Sequence, residues 1–236
     1  MTPESPLPAA DETVDRSPKE RLLDAAEALF AERSFDAVSV RELAAEAGMN
    51  VAAVNYHFQG KENLFREVVI RRFTAQRDRT LAGLDALLDR TSGRPRVDDV
   101  IRVVVHEYMS GALANSFLTV ITREMGSDSH AHAHFFRELV RPVFEAISRS
   151  LHAARPGIAD DDMPWFIAST IAQVHHFILR RIKYEASAAN DEARTIMLQA
   201  FPILGADRET YVATVTDRIT RFTAAAIDGL CPEEDS

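Results

Sequence analysis

The chain has 236 residues, of which 46% are hydrophobic and 27% are charged. This composition is typical of a globular protein with one large domain or two unequal ones. The formal net charge of -9 provides no overall attraction to a phosphate backbone, so any nucleic-acid binding requires a favourable local surface. The single cysteine, Cys231, excludes an internal disulfide and a cysteine-based zinc site, and it is typical of a reducing compartment.

No apolar run approaches the roughly 18 residues that a membrane span requires, and the N-terminus lacks the pattern of a secretory signal. We therefore expect a cytoplasmic protein with no membrane partner. Residues 1–16 contain three prolines, four acidic residues and little apolar material, which predicts a disordered tail.

Capping signals predict where the first helices begin. Ser17 is followed by a proline at the first helical position and by Glu20, which completes a capping box, so a helix is expected over residues 17–33. Ser39 and Glu42 form a second capping box, which opens a short helix that ends at residue 48.

A further short helix and a long one follow. Asn50 is an N-cap residue and opens a helix over residues 51–58. A long amphipathic helix then runs from Lys61 to residues 91–93. Two short helices joined through residues 47–50 are typical of a helix-turn-helix, in which the first helix braces a second that enters the DNA major groove.

The remainder of the chain shows only helical periods. Helices are predicted over residues 97–113, 116–125, 132–154 with a kink at Pro142, 163–187 and 208–229. Alternating strand patterns and hairpin turns are absent, so the predicted fold class is all-α. No internal repeat of fixed period is present, which argues against a helical solenoid.

The second short helix has a small, nearly uncharged face, formed by Val51, Ala52, Ala53 and Asn55. Alanine and valine can contact a thymine methyl group, and the Asn55 amide can make two hydrogen bonds to adenine. Side chains that can reach phosphate oxygens follow, at Tyr56, His57 and Lys61. This composition favours DNA binding, and the alternative is a helix over residues 51–58 that only packs into a helical core.

The local charge favours the first interpretation. No carboxylate lies between Glu46 and Glu62, and residues 17–75 carry 8 basic and 9 acidic residues, so this part of the chain is nearly neutral. An acid-free surface within an acidic protein avoids repulsion of the DNA phosphates.

Residues 20–66 resemble the DNA-binding domain of TetR-type regulators. The matching segments are Leu29-Phe30-Ala31-Glu32-Arg33, residues 35–41, residues 44–49, and Tyr56-His57-Phe58-Gln59-Gly60-Lys61-Glu62-Asn63-Leu64-Phe65. Ser34 departs from the glycine that is usual after the first helix, which predicts either strain or a different helix end. Residues 52–58 and Thr122-Arg123-Glu124-Met125 also resemble the CecR-like subgroup.

The resemblance implies an N-terminal three-helix helix-turn-helix domain over residues 17–66, a C-terminal helical ligand-binding and dimerisation domain over residues 67–230, and a disordered tail over residues 231–236. It implies base contacts from Val51, Ala52, Ala53 and Asn55, and DNA-backbone contacts from Ser39, Arg41, Tyr56, His57 and Lys61. The implied function is a repressor that binds a palindromic double-stranded DNA operator as a homodimer and releases it when a small hydrophobic inducer binds.

A dimer requires a subunit interface, because two recognition helices must lie about one DNA turn apart. TetR-type regulators pair through their last two long helices as a four-helix bundle. The matching apolar positions are Ile167, Ile171, Val174, Ile178, Ile182, Val212, Val215, Ile219, Phe222 and Ala226. The alternative is that both stripes face the core of their own subunit.

The resemblance also implies a pocket for the inducer in the second domain. An aromatic lining with a few polar tips suits a small hydrophobic molecule. The candidate lining residues are Tyr108, Phe117, Ile121, Phe135, Phe136, Phe144, Trp165, Phe166, His175 and Phe177. Each of them could instead belong to the core.

Alternating histidines raise a rival interpretation, a helical metal-dependent enzyme that uses His130, His132 and His134. On a helix only His130 and His134 would share a face, so we expect solvated histidines and no metal or other cofactor. The sequence contains no His-Glu-x-x-His, no Gly-x-Ser-x-Gly and no phosphate-binding loop. We therefore assign no catalytic residues and expect a protein that is not an enzyme.

Overall fold

The computed structural model describes residues 16–110, 133 and 135–231, and every regular element in these ranges is helical, which confirms the all-α class. The helices are α1 (Pro18–Glu32), α2 (Val40–Glu46), α3 (Val51–Phe58), α4 (Lys61–Arg90), α5 (Val97–Ser110), α6 (Arg141–Ala154), α7 (Met163–Ala186), α8 (Asp191–Ala200) and α9 (Arg208–Leu230). Short 3₁₀ turns lie at Phe35–Ala37 and Pro202–Gly205, and a π-helical turn lies at Phe136–Val140.

The first three helices and the start of α4 form a small bundle with its own core. Almost completely buried side chains come from all four helices, namely Leu22, Phe30, Leu43, Val54 and Leu64. The Phe65 ring meets the rings of Phe30 and Phe35 edge-on, at centroid distances of 4.8 and 5.0 Å. These aromatic contacts hold the end of α1 and the following 3₁₀ turn against α4.

The 30-residue helix α4 continues from this bundle into the helical body formed by α5–α9. Helix α5 packs against both α4 and α9. A Cβ atom at Gly83 would lie 2.9 Å from Cγ1 of Val103, so glycine permits the close approach of α4 and α5. Helices α7 and α9 run antiparallel, because Tyr211 near the start of α9 donates a 2.7 Å hydrogen bond to the carbonyl of Phe177 in the second half of α7.

The first helix ends without a left-handed residue. Arg33 (φ -131°) and Ser34 (φ -63°) both have extended conformations, so serine in place of glycine causes no backbone strain. The Arg33 guanidinium donates to the carbonyl oxygen of Ala37 and contacts Glu42 at 2.7 Å. Of the two outcomes predicted at Ser34, the structure shows a different helix end.

The predicted kink at Pro142 takes the form of the π-helical turn that precedes α6. Proline has no backbone N–H, so the carbonyl oxygen of Glu138 cannot accept the regular hydrogen bond from residue 142. That oxygen accepts instead from Nη1 of Arg77 on α4, at 2.9 Å. The break in the helix is therefore compensated by a contact to the long helix beside it.

Helix α8 has no counterpart among the predicted helices. It has ten residues, none of which is buried. Asn190 provides the start signal, because its side chain accepts a 3.0 Å hydrogen bond from the amide of Ala193. The predicted helix over residues 116–125 lies outside the described residues.

The body extends to Cys231, which the prediction assigned to a disordered tail. Cys231 is buried, and its carbonyl oxygen accepts a 2.9 Å hydrogen bond from Arg155. Residues 1–15 and 232–236, where the two tails were predicted, lie outside the described residues. No helix within the described ranges combines the length and the apolar character that crossing a membrane requires.

Candidate nucleic-acid interface

Helices α2 and α3 are joined by a turn whose backbone hydrogen-bonds to the end of α2. Gly48 has a left-handed conformation (φ +65°), and the amide of Met49 donates a 2.8 Å hydrogen bond back to the carbonyl of Ala44. Asn50 then caps α3 by accepting a 3.0 Å hydrogen bond from the amide of Ala53. The unit formed by α2, this turn and α3 is a helix-turn-helix.

Arg21 supports the turn from α1 and has no counterpart in the predicted site. Its Nη2 donates a 2.7 Å hydrogen bond to the carbonyl of Ala47, the last residue before the glycine. The left-handed backbone at Gly48 favours glycine, and a Cβ atom there would lie 2.9 Å from the same nitrogen, so a larger residue would also displace the Arg21 guanidinium. The two partners are 26 residues apart, and no local sequence signal connects them.

Helix α3 divides into a buried side and an exposed side. Val54 and Phe58 are buried and anchor the helix to the bundle. Val51, Ala52 and Asn55 are exposed, and Ala53 is half-buried. Tyr56 is 83% exposed, and its ring meets the neighbouring His57 ring edge-on.

The exposed Tyr56 hydroxyl can donate a hydrogen bond to a partner such as a phosphate oxygen. The exposed side of α3 also carries no carboxylate, because the nearest acids in the chain are Glu46 and Glu62. The helix can therefore approach an anionic surface without repulsion from its own side chains.

The residues predicted to contact the DNA backbone differ in how exposed their side chains are. Ser39 and Arg41 are exposed at the start of α2, Tyr56 is exposed and His57 is half-buried. The Ser39 hydroxyl accepts a 3.2 Å hydrogen bond from the amide of Glu42, which leaves its own hydrogen available to a phosphate oxygen. Phosphate contacts from these residues stay a prediction.

The ammonium group of Lys61, which was predicted to contact phosphate, makes hydrogen bonds within the protein. Its Nζ donates to the carbonyl oxygens of Phe35 and Val38, each at 2.9 Å, and lies 4.0 Å from the centroid of the Phe35 ring. These contacts attach the 3₁₀ turn before α2 to the start of α4. Because an ammonium group has three donors, at most one remains for a phosphate oxygen.

Glu42 completes the cap of α2 and is strongly acidic. Its carboxylate accepts a 2.8 Å hydrogen bond from the amide of Ser39 and lies 2.7 Å from the guanidinium of Arg33. Hydrogen bonds from Ser39 and then Arg33 lower the pKa of Glu42 to about 2. The charged carboxylate thus links the end of α1 to the start of the helix-turn-helix.

We expect this cap to be lost in acid. The folded-state pKa of Glu42 is lower than its ordinary value of 4.5, so the stability it contributes is present above pH 4.5 and disappears as the pH falls towards 2. In thermal unfolding followed by circular dichroism, Glu42→Gln should flatten the decline of the unfolding midpoint over that interval. Glu62→Gln, which removes a first-turn acid outside this cap, is the control, and parallel profiles for wild type and Glu42→Gln would contradict the assignment.

The aromatic residues predicted to line a ligand pocket face different parts of the body. Trp165 is 73% exposed, so it cannot line an enclosed pocket, whereas Phe166 is buried in the core. Phe177 lines a surface groove, and Phe135 packs against Phe73 of α4 at a centroid distance of 5.2 Å. A helical period identifies an apolar stripe but does not tell which neighbour covers it.

The other predicted pocket residues differ in how deeply they are buried. Burial raises the pKa of Tyr108 to about 12 and lowers the pKa of His175. Phe144 is half-buried against the core, and Phe136 is partly exposed beside Phe135. The remaining two candidates, Phe117 and Ile121, lie outside the described residues.

Half of the residues predicted to form the dimer interface are buried inside the subunit. Five of its ten residues are buried within the single chain, namely Ile167, Val174, Ile178, Val215 and Ile219. They belong to the subunit's own core, so their assignment as contacts between subunits is corrected. The others are partly buried at Ile171, Ile182, Val212 and Ala226, and Phe222 is 65% exposed.

A second apolar face points outward from the same two helices. We call it the outer face and define it by four exposed residues, Trp165 and Leu179 on α7 and Phe222 and Leu230 on α9. One of these four residues, Phe222, lines a groove of about 680 Å³ together with other residues of α5, α7 and α9 that include Phe177. Large apolar side chains exposed together are typical of an interface.

The histidines of the rival metal-site interpretation, His130, His132 and His134, lie outside the described residues. Within the ranges that the structure covers, no group of three His, Cys, Asp or Glu side chains is arranged to hold a metal ion.

Known proteins resemble this chain mainly in its first domain. Residues 22–68 match the family described as "Bacterial regulatory proteins, tetR family". The "Probable HTH-type transcriptional regulator YttP" of Bacillus subtilis is 40% identical over 53 residues, which is 22% of this chain and 26% of that protein. The "HTH-type transcriptional repressor KstR2" of Rhodococcus jostii is 40% identical over 70 residues, 29% of this chain and 32% of that protein. The matched region thus spans about a quarter to a third of these relatives.

Solved structures resemble the chain over most of its length. The fatty acid degradation regulator FadR of Bacillus halodurans superposes with a TM-score of 0.53 at 12% identity, covering 87% of this chain and 95% of that one. A tetR-family transcriptional regulator of Streptomyces coelicolor gives a TM-score of 0.51 at 17% identity, covering 92% and 98%. At these identities the likeness concerns the fold.

The protein is a helix-turn-helix protein with an all-helical body. Residues 22–68 match the tetR family, and the described part of the chain shares its fold with these two solved regulators. The matched proteins are regulators, and none of these comparisons supports the helical metal-dependent enzyme.

Proposed function

We propose that the protein is a sequence-specific DNA-binding regulator of transcription and that α3 is the helix that reads the DNA. The observation that carries this proposal is the exposed, acid-free side of α3, with Tyr56 projecting into solvent. The tetR-family match over residues 22–68 supports it, because that segment contains the entire helix-turn-helix.

The base contacts come from the exposed side of α3. The small side chains of Val51 and Ala52 allow the helix backbone to approach the floor of the major groove and can contact thymine methyl groups. Asn55 is exposed and can hydrogen-bond two atoms of adenine. Ala53 is half-buried and contributes less surface than its neighbours.

The contacts to the DNA backbone surround that face. Arg41 and Tyr56 are exposed on either side of the recognition surface, and the Ser39 hydroxyl keeps a free hydrogen. His57 and Lys61 are less accessible and contribute fewer contacts. Phosphate contacts of this kind fix the position of α3 in the groove but do not select a sequence.

The active form in this proposal is a homodimer that pairs through the outer face. Trp165 and Phe222 are large, apolar and exposed, and the groove beside Phe222 can receive a side chain from a second copy. An interface of two antiparallel helices from each subunit is self-complementary, as two-fold symmetry requires. Pairing would place two α3 helices on one palindromic operator.

The proposed function also includes repression of transcription and release of the operator when a small molecule binds. A protein that occupies its operator blocks transcription nearby, and a ligand with higher affinity for a conformation that cannot span both half-sites removes it. The relative named as a repressor supports this role over the helix-turn-helix segment alone. Membership of the CecR-like subgroup stays a prediction.

The proposal is tested by gel retardation with DNA from around the protein's own gene. We expect one palindromic fragment to be retained at nanomolar protein concentration, with an affinity at least a thousandfold above that for a scrambled fragment of the same composition, roughly as for specific DNA-binding proteins in general. The logarithm of the affinity should fall linearly with the logarithm of the salt concentration. Equal retention of operator and scrambled fragments would contradict the proposal.

A further inference from the structure

A cavity of about 910 Å³ lies between the helix-turn-helix domain and the body, and the DNA-binding proposal makes no use of it. Helix α1 contributes Glu27 and Ala31 to its lining, and the remaining residues come from α4, α5, α7 and α9. The volume is near the upper end of the range for small-molecule sites. Because its walls belong to both parts of the chain, a molecule bound there would contact both.

The lining carries an excess of positive charge within an acidic protein. Five arginines and three glutamates line the cavity, although the whole chain has a net charge of -9. Arg71 and Arg72 are paired with acidic residues of α1, and Arg181 is paired with Glu185 of its own helix. The net positive charge of the lining favours an anionic ligand.

Two of the arginines contact the last turn of α5. Nε of Arg79 lies 3.5 Å from the carboxylate of Glu107, and Nη2 of Arg208 lies 3.4 Å from the carbonyl oxygen of Ser110, which is a long hydrogen bond. Glu107 and Ser110 are three residues apart and therefore neighbours on the helix surface. Among the described residues no carboxylate lies within 4.0 Å of the Arg208 guanidinium, so most of its donors are available.

The lining also contains apolar side chains. Met109, Ile178, Ile182 and Val212 face the same cavity as the arginines. A hydrocarbon chain would bury surface against these side chains, whereas a small inorganic anion would leave them uncovered. The lining of the cavity thus combines cationic groups with apolar side chains.

We propose that this cavity binds a small amphipathic carboxylate, with the carboxylate held by Arg208 and Arg79 and the hydrocarbon chain against the apolar side chains. A guanidinium can bind a carboxylate through two parallel hydrogen bonds, and such charge-assisted bonds are stronger than neutral ones. A bound carboxylate competes with Glu107 for Arg79 and so changes the contacts between α4 and α5.

The effect on DNA rests on the proposed function. The bound carboxylate contacts Arg79 of α4, the helix that begins beside the helix-turn-helix, so its binding favours the arrangement of α4 that fits the ligand best. The carboxylate would in this way act as the effector that changes operator affinity. Binding itself needs no DNA and can be measured separately.

The test uses octanoate and dodecanoate as probes, with octanol and octylamine as neutral and cationic counterparts, in calorimetric titrations of the full chain without DNA. We expect both carboxylates to bind with one-to-one stoichiometry and at least tenfold more tightly than octanol or octylamine. Arg208→Gln should lower octanoate affinity by about tenfold to a hundredfold, the usual effect of losing a hydrogen bond to a charged group. Arg79→Gln should act in the same direction.

Arg96→Gln is the matched control, because Arg96 is exposed and lies outside the cavity lining. It should leave octanoate affinity unchanged. Equal affinities for octanoate and octanol, no binding of either carboxylate, or full affinity in the folded Arg208→Gln variant would overturn the proposal. Carboxylate binding by a protein that retains no operator would instead overturn the DNA-binding function and leave the cavity assignment intact.

Discussion

Phe222→Glu is expected to convert the dimer into monomers and to lower operator affinity by about a hundredfold or more. The side chain is 65% exposed in the single chain, so the substitution should cost the folded monomer little. In a dimer formed through the outer face, the glutamate would be buried without a partner, which is strongly unfavourable. Loss of the second DNA-binding domain then removes the gain in affinity that comes from linking two sites, about a hundredfold to ten-thousandfold.

Sedimentation velocity at micromolar concentration measures the first effect, and fluorescence anisotropy with a labelled operator measures the second. Ile196→Glu is the matched control, because Ile196 on α8 is also large, apolar and exposed (58%) but does not belong to the outer face. A dimer that survives Phe222→Glu unchanged would show that the subunits pair elsewhere. A wild-type protein that sediments as a monomer would remove the dimer from the proposed function.

Asn55→Ala is expected to lower affinity for the operator by about fivefold to a hundredfold and to relax the preference for one base pair. The effect corresponds to loss of a two-pronged hydrogen bond to a base. The variant should bind the wild-type operator and an operator changed at that base pair with similar affinity. Stability should be unaffected, since Asn55 is exposed on the outside of α3.

Arg41→Ala provides the comparison, because Arg41 is exposed and predicted to contact phosphate rather than bases. It should weaken binding to every sequence by a similar factor and reduce the slope of affinity against salt by about one ion. Asn55→Ala should leave that slope unchanged. Uniform weakening by Asn55→Ala across all operator variants would mean that α3 does not read a base through this amide.

The local features of the fold are predictable because their causes lie within a few residues of one another. The capping boxes at Ser17 and Ser39 join residues three positions apart, and both are present with the expected partners. The cap at Asn50 and the break at Pro142 are equally local. These signals together establish the helix-turn-helix before any long-range contact is considered.

The remaining features depend on contacts between distant residues. The period of α7 and α9 identifies apolar stripes, but whether Val174 and Val215 meet their own core or a second subunit depends on how the body closes around them. The same applies to Lys61, whose ammonium group is taken up by carbonyl oxygens 23 and 26 residues earlier in the chain. The positive charge of the cavity could not be predicted from the sequence either, because Arg79 and Arg208 come from helices far apart in the chain.

In the proposed DNA-bound dimer, helix α4 would convert small movements of the body into large displacements at the DNA. It runs without interruption through 30 residues, which corresponds to a rod of about 45 Å. If the end of such a rod in the body turns by about 5°, the end beside the helix-turn-helix moves by about 4 Å, since displacement grows with length. Hydrogen bonds to phosphate tolerate only a few tenths of an ångström. An angular change too small to disturb the packing of the body is therefore sufficient to place both α3 helices out of register with their half-sites.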